Sequence, residues 1–317
     1  MIARRSILAL LAGTAIAAPM GRGSRAAPAS QLRVGYQKGE PILVAAKQNR
    51  SLETVLNPLG ISVEWLPFPF GPPLLEAMRV GSIDIGAVGD TPPIFAQAAH
   101  ADLVYLSAIV PGTSAIILPP GSILQTLVDL KGKKLAFGKG SAAQNLAIAA
   151  LEKAGLTYAD IEPIYLAPAD AAAAFEHGSI DAWAIWDPYF AIYEQKPGVR
   201  VLALSQDIVP QNSFVLASRA YASANPQVIA QAVTAFDKTA SWSAEHRAEV
   251  AKLVADGTGV PLDATSRAIN RNPLALRKID DEVIRTQQQV ADRFRALGLI
   301  PEPIKVSDQV WHAPSGS

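Results

Sequence analysis

The sequence predicts an α/β protein built from two similar lobes that face each other across a cleft. Short apolar runs alternate with helical patterns over about the first two hundred residues, which is typical of parallel sheets flanked by helices. The run GSIDIGAVGD at 81–90 recurs as GSIDAWAIWD at 178–187, so its two aspartates reappear 97 residues later. A second pair of similar turns, YQKG at 36–39 and FGKG at 137–140, is offset by 101 residues. Two copies of one strand, turn and helix plan are the simplest interpretation.

The individual elements follow from local patterns. Asn225 and Pro226 predict the start of a helix, and Gly298 and Pro301 predict the end of a last one. The segment after about residue 210 has no partner in the repeat, so we expect it to return to the first lobe. Apolar runs of strand length predict strands at 32–36, 61–68, 83–89, 103–110, 114–120, 133–138, 161–168 and 180–186. Helical spacing predicts helices at 41–48, 72–80, 92–99, 143–155, 171–178, from 226 onward, and over about 280–297.

The first 29 residues predict a signal peptide. Arg4 and Arg5 precede an apolar run at 7–18 that is too short to cross a bilayer. The arginine pair matches a twin-arginine export signal in part, and Ala27-Pro28-Ala29 offers a cleavage site just before the first strand. A membrane anchor is the less favoured alternative. We therefore expect a soluble, monomeric, periplasmic protein that begins near Ser30.

Charge and cysteine content exclude several classes of function. The chain has 28 basic and 28 acidic side chains, and removing residues 1–29 takes away four arginines, which leaves a net charge near −4. This balance does not favour a nucleic-acid surface, which requires a basic stripe. The sequence contains no cysteine, so disulfides, thiolate metal sites and a thiol nucleophile are all excluded.

The turns that follow the strands are the expected ligand sites, because ligands of open parallel sheets bind beyond the carboxyl ends of the strands. KGSAAQN at 139–145 is the most informative turn. Gly140 permits close approach of the backbone, Ser141 can cap the following helix, and the free N–H groups of the helix start favour an anion, with Lys139 nearby. An ordinary helix cap remains an equal alternative.

The turn GDTPP at 89–93 gives the first lobe a similar helix start. Its prolines donate no hydrogen bond, so Thr91 must supply its N–H and hydroxyl groups. We expect Asp90 to be a cap or a residue that closes the lobes, because a carboxylate repels a neighbouring anion.

Trp183 and Trp186 are three positions apart in one predicted strand, so they face opposite sides. We expect one to be core and the other to wall an apolar or cationic part of a ligand. We also expect Gly89, at the corresponding position of the first copy, to leave room for it across the cleft.

Catalytic and metal-binding constellations are not evident. The histidines at 100, 177, 246 and 312 share no ligand spacing, and G-x-S-x-G, H-E-x-x-H and a dinucleotide G-x-G-x-x-G are absent. We therefore expect a binding protein without cofactor or metal rather than an enzyme.

Four stretches resemble the aliphatic-sulfonate binding proteins of ABC importers, within the wider nitrate, sulfonate and taurine binding group. They are VGYQKG (34–39), FPFGPPLLEAMRVGSIDIGAVGDTPPIFAQAA (68–99), KGSAAQNLAIAALEKAGL (139–156) and APADAAAAFEHGSIDAWAIWDPY (167–189). The resemblance implies two Rossmann-like lobes in a type II periplasmic-binding-protein fold, joined by two hinge segments. It also implies an alkanesulfonate ligand that is delivered to a membrane permease for sulfur acquisition.

The resemblance also implies where the lobes and the ligand site lie. The crossings should fall near Gly112-Thr113 and Pro210-Gln211, which assigns 30–112 with 211–317 to the first lobe and 113–210 to the second. The residues that it implies for the cleft are Gln37, Lys38, Asp90, Thr91, Lys139, Ser141, Gln144, Trp183 and Trp186. Taurine, nitrate or a small aromatic sulfonate remain alternative ligands, and a pyrimidine-forming enzyme of the same fold remains the alternative of another class.

Overall fold

The computed structural model describes residues 30–312, and it consists of two β-sheets with helices packed against them. The signal-peptide prediction concerns residues that lie outside this range. The elements of the first part of the chain are β1 (Gln31–Gln37), α1 (Pro41–Gln48), α2 (Ser51–Leu56), β2 (Ser62–Phe68), α3 (Gly71–Arg79), β3 (Ile85–Gly89), α4 (Thr91–Ala98) and β4 (Leu103–Ile109). They are followed by β5 (Ser114–Leu118), β6 (Lys134–Phe137), α5 (Ala142–Lys153), β7 (Glu162–Tyr165), α6 (Pro168–Glu176), β8 (Ala182–Trp186), α7 (Tyr189–Tyr193) and β9 (Arg200–Leu204). The chain then continues through β10 (Ser213–Ser218), α8 (Arg219–Ala224), α9 (Pro226–Glu245), α10 (Arg247–Thr258), α11 (Leu262–Arg271), β11 (Leu276–Arg277) and α12 (Asp281–Ala296).

The first sheet has six strands in the order β2-β1-β3-β10-β4-β11, and the second has five in the order β7-β6-β8-β5-β9. The second sheet therefore repeats the arrangement of the first without its edge strand β11. Each sheet has a helix-linked parallel core, beside which lies the first strand after a crossing between the lobes, β10 or β5. The sheets are parallel as expected except at the edge strand β11, which runs antiparallel to β4, and at β10 and β5, which run antiparallel to both of their neighbours. The chain enters β10 and β5 at the end where the neighbouring strands finish: Ser213 pairs with Gly89, and Ser114 pairs with Trp186.

The repeated GSID sequence performs the same structural role in both lobes. Asp84 accepts a hydrogen bond from the backbone N–H of Arg33 at 2.8 Å, and Asp181 accepts one from that of Lys134 at 2.8 Å. The backbone N–H groups of the two aspartates donate in return to the same residues' carbonyl oxygens, each at 2.9 Å. Asp84 thus fastens β1 to the start of β3, and Asp181 fastens β6 to the start of β8 in the same way.

The carboxyl-terminal helices pack on the first sheet. Phe236 of α9 is buried on one face with Val34 and Ile85, and Phe294 of α12 is buried on the other with Tyr105. Burying one such side chain contributes about 1.5–3 kcal/mol, so these helices are held mainly by their apolar faces. In residues 30–312, every helix is too short or too polar to span a bilayer.

Candidate functional site

A cavity of about 110 Å³ lies between the two sheets, at the carboxyl ends of their parallel strands. A single buried water needs roughly 10–15 Å³ on this measure, so the cavity has room for a small organic molecule. Both lobes contribute to its wall, which includes Gln37, Glu40, Ile42, Ser114, Ser141, Ala142, Trp186, Asp187, Gln211, Asn212 and Asn272. Among residues 30–312, the lining contains no lysine, arginine or histidine, so the donors that it offers are neutral.

Two helix starts meet at this cavity. The first intrahelical bond of α1 is from the N–H of Val44 to the carbonyl of Glu40, so the N–H of Ile42 precedes the hydrogen-bonded ladder. The start of α5 is similar, because the N–H of Asn145 is the first to reach back four residues, to Ser141, and Ala142 lies before it. The left-handed backbone of Gly140, with φ of 69°, turns the chain into α5. Helix starts of this kind bind anions through their backbone N–H groups.

Ser141 lines the cavity but does not cap its helix as expected. Its hydroxyl donates to the carbonyl of Gly138 at 2.6 Å, and α5 has no side-chain cap. The residue is 2% exposed. The hydroxyl therefore stabilises the turn, and it would have to rotate away from Gly138 to donate to a ligand.

The other candidate residues divide into those at the wall and those behind it. Gln37 lines the cavity, and its amide donates to the carbonyl of Ala87 at 2.7 Å. The structure does not place Lys38, Asp90, Thr91, Lys139, Gln144 or Trp183 at the wall. Lys38 and Lys139 are exposed, and the ammonium of Lys139 lies 5.4 Å from the centre of the Tyr165 ring. Gln144 is buried, where it accepts from the N–H of Gly140 at 2.7 Å.

The two tryptophans have different environments. Trp183 is 1% exposed and packs among Phe175 and Tyr193 in the core of the second lobe. Trp186 is half-buried and lines the cavity. The expectation that Gly89 leaves room for a tryptophan is wrong, because a β-carbon on Gly89 would lie 2.8 Å from that of Ala142. Trp186 instead faces Gly39, where a β-carbon would lie 3.0 Å from the indole.

The two repeated aspartates at the strand ends each accept a hydrogen bond from an asparagine of the other lobe. The Asp90 carboxylate accepts from the Asn145 amide at 2.7 Å and from the Thr91 hydroxyl at 2.8 Å. The Asp187 carboxylate accepts from the Asn272 amide at 3.2 Å. Burial raises the pKa of both carboxyls to about 6, and these bonds partly oppose that rise. Arg271, 3.4 Å from Asp187, also opposes the rise in the pKa of that carboxyl.

Several residues of the wall were not among the site residues predicted from the sequence. Glu40 directly follows the YQKG turn, is buried and lines the cavity. The sequence did not point to it, because an acidic side chain is not expected in an anion-binding site. Gln211 and Asn212 lie at the second crossing. Asn272 follows α11 and also accepts from the N–H of Thr113 at 2.7 Å. Their common feature is position in the fold, which no local pattern in the sequence predicts.

A cavity enclosed by two α/β lobes, with helix starts and an indole in its wall, is the architecture of a substrate-binding protein. The family described as ABC transporter, phosphonate, periplasmic substrate-binding protein matches residues 49–266. A curated Escherichia coli (strain K12) protein, named as a candidate aliphatic sulfonates-binding protein, is 43% identical over 88% of each chain.

Solved structures of two sulfonate-binding proteins are similar to this chain in both sequence and fold. The alkanesulfonate-binding protein SsuA from Xanthomonas axonopodis pv. citri, bound to MOPS, is 41% identical with a TM-score of 0.85, covering 90% of this chain and 99% of that one. The periplasmic aliphatic sulphonate binding protein SsuA from Escherichia coli is 40% identical with a TM-score of 0.81, covering 91% and 94%. A desulfurization enzyme shares the fold alone, at 15% identity and a TM-score of 0.63.

The chain therefore belongs to the family of periplasmic substrate-binding proteins of ABC transporters. Within it, the identity above 40% over nearly the whole chain groups it with the aliphatic sulfonates-binding proteins.

Proposed function

We propose that this protein captures aliphatic sulfonates between its lobes in the periplasm and delivers them to the membrane subunits of an ABC importer. One observation carries the proposal. The starts of α1 and α5 meet the half-buried indole of Trp186 at one small cavity, so N–H donors and an apolar wall stand side by side. A sulfonate has a fixed negative head that accepts hydrogen bonds and an apolar tail, and the cavity offers a counterpart to each.

Neutral donors suit this ligand. A sulfonate is ionised at every physiological pH, so helix N–H groups can bind it without a cationic partner. In the related protein from Xanthomonas axonopodis pv. citri the bound molecule, MOPS, is itself a sulfonate. We assign the head to the start of α5 beside Ser141 and the tail to Trp186.

The lobes are proposed to comprise 30–112 with 211–317 and 113–210, with hinges near Gly112-Thr113 and Pro210-Gln211. The strand β4 ends at Ile109 and β5 begins at Ser114, which supports the first hinge. Asn272 holds this hinge through the N–H of Thr113 and reaches Asp187 of the other lobe. Such a residue can transmit lobe closure to the hinge.

The protein is proposed to be a soluble monomer without enzymatic activity, exported by a cleavable signal peptide. The binding role of the family supports the absence of enzymatic activity. Amino-terminal sequencing of periplasmic material should give a start near Ser30. Membrane-retained protein with an intact Met1 would contradict the export proposal.

Titration calorimetry against a panel of anions tests the function. Alkanesulfonates should bind, whereas sulfate and nitrate should bind far more weakly, because neither presents a tail to Trp186. A ligand at a hundred times its dissociation constant should raise the free energy of unfolding by about 2.7 kcal/mol, visible as a thermal shift. Binding of nitrate or sulfate alone would overturn the assignment.

A further inference from the structure

Arg271 and Glu194 form an ion pair that joins the two lobes. Arg271 is the last residue of α11, and Ile269 of that helix is buried in the core of the first sheet. Glu194 directly follows α7, whose Phe190 is buried in the core of the second sheet. The guanidinium donates two hydrogen bonds, from Nη1 to Oε2 of Glu194 at 3.2 Å and from Nη2 to Oε1. Paired hydrogen bonds between charged groups are among the strongest in proteins.

The surroundings of this pair distinguish it from an ordinary surface ion pair. The side chains of Arg271 and Glu194 are only 20% and 18% exposed. The guanidinium carbon also lies 4.3 Å from the centre of the Phe190 ring, and its Nε lies 3.4 Å from the Asp187 carboxylate. Exposed pairs contribute little, because solvent screens them and because ordering two long side chains costs entropy. Here three groups of the second lobe order one guanidinium, so the entropic cost of each contact is smaller.

The other ion pairs between the lobes are more exposed. Arg293 of α12 contacts Glu152 of α5 at 2.9 Å, but that carboxylate is half-exposed. Arg267, one turn before Arg271 on α11, lies 3.9 Å from Glu194 and is itself exposed. Among the ion pairs that join the lobes within residues 30–312, only those of Arg271 enclose both partners. Arg271 is therefore the cation whose contacts depend most on closure of the lobes.

The same guanidinium is connected to the wall of the cavity. Asp187 follows Trp186 in that wall, and its carboxylate contacts Arg271 and the amide of Asn272. This segment also lies against Gly39 of the first lobe, where a β-carbon would be 2.8 Å from the Asp187 carbonyl and 3.0 Å from the indole. Moving the lobes apart would withdraw the wall from Gly39 and break the Arg271 contacts, because each of these contacts joins opposite lobes.

We propose that Arg271 and Glu194 form a latch between the lobes, which holds the wall at 186–187 closed over a bound ligand and sets the rate at which the ligand leaves. The inference rests on the proposed sulfonate-binding function. Neither side chain lines the cavity, so both are positioning residues that act through the wall. The latch forms as the lobes close on a ligand that has already entered. It should therefore govern the dissociation rate constant and leave the association rate constant nearly unchanged, as is usual for an enclosed charge pair.

Stopped-flow fluorescence with 1-butanesulfonate tests the latch, because Trp186 lines the cavity. Glu194→Gln removes a charge while keeping the side-chain shape, and Arg271 retains Asp187 as a partner, so the variant should fold. Its dissociation rate constant should rise about tenfold, the scale of one hydrogen bond between charged groups, while its association rate constant should change less than about twofold. Raising the NaCl concentration from about 0.05 to about 0.5 M should accelerate dissociation from wild type more than from the variant, because salt screens the pair.

Arg271→Met is the second variant, and it should accelerate dissociation at least as much, because it also releases Asp187. Adding Glu194→Gln to Arg271→Met should have no further effect, since Glu194 acts through Arg271. The matched control is Glu162→Gln, which removes a negative charge from an exposed position on β7 of the second sheet. This control should leave both rate constants unchanged.

A folded Glu194→Gln protein that releases the ligand at the wild-type rate, or additive effects of the two substitutions, would overturn the latch. A lower unfolding temperature with both rate constants unchanged would also overturn it, because the pair would then have a structural role alone. If wild type bound no alkanesulfonate, the proposed function would fail together with the latch that rests on it. A failure of the latch alone is thus distinguishable from a failure of the function.

Discussion

The contact between Asp90 and Asn145 allows a quantitative prediction about closure of the lobes. Asn145 is fully buried on α5, donates to the Asp90 carboxylate at 2.7 Å, and accepts from Arg293 at 2.9 Å. Arg293 keeps a second partner, Glu152, at 2.9 Å. Asn145→Ala therefore chiefly removes one hydrogen bond to a buried carboxylate, which costs about 1.5–3 kcal/mol.

The lost free energy should appear either in ligand affinity or in the free energy of unfolding, depending on whether the lobes separate without ligand. If they separate without ligand, sulfonate affinity should fall about thirtyfold, the equivalent of about 2 kcal/mol. If they remain in contact without ligand, the free energy of unfolding should fall by the same amount instead. Calorimetric titration and denaturant unfolding of the same samples distinguish these outcomes.

The pH dependence supplies a sharper signature. The Asn145 bond lowers the pKa of Asp90 against the larger effect of burial, which raises it to about 6. The bond thus stabilises the ionised carboxyl, and its loss should cost less at pH 5, where Asp90 is protonated, than at pH 7.5. Asn49→Ala on the exposed surface of the first lobe is the control. A change below about 0.5 kcal/mol in both assays at pH 7.5, or an equal cost at both pH values, would refute the reasoning.

Three further outcomes are expected. Trp186→Ala should flatten the increase of affinity with tail length, which should reach about 0.8 kcal/mol per buried methylene in wild type; an unchanged series in calorimetry would place the tail elsewhere. Ser141→Asp should nearly abolish sulfonate binding, because it puts a carboxylate at the proposed head-group site, and unchanged affinity would move that site. Burial raises the pKa values of Glu40, Asp90 and Asp187 to about 7, 6 and 6. The folded protein then binds more protons than the unfolded chain between about pH 4 and pH 7, so the unfolding temperature should rise as the pH falls from 7.5 to 5; a fall would contradict this.

Local pattern determined the elements and the repeat. The runs at 83–89 and 180–186 form β3 and β8, and the pattern over about 280–297 forms α12 at Asp281–Ala296. These predictions succeed because a strand buried on both faces reads as a short continuous apolar run. A helix that packs on a sheet instead repeats its apolar residues with a period of 3.6. The repeat could be recognised in the sequence because Asp84 and Asp181 perform the same local task, each joining two strands of one lobe through a backbone hydrogen bond.

Tertiary structure decided how those elements meet. The direction of β5 and β10 depends on the end of the sheet at which the chain enters after a crossing. Trp183 and Trp186 share one strand, and only the packing of each face makes the first core and the second cavity wall. Asp90 finds Asn145 across 55 residues, and its backbone carbonyl finds the Gln287 amide across 197. Local periodicity does not reveal such partners, because they become neighbours only after the chain has crossed between the lobes, once before Asn145 and twice before Gln287.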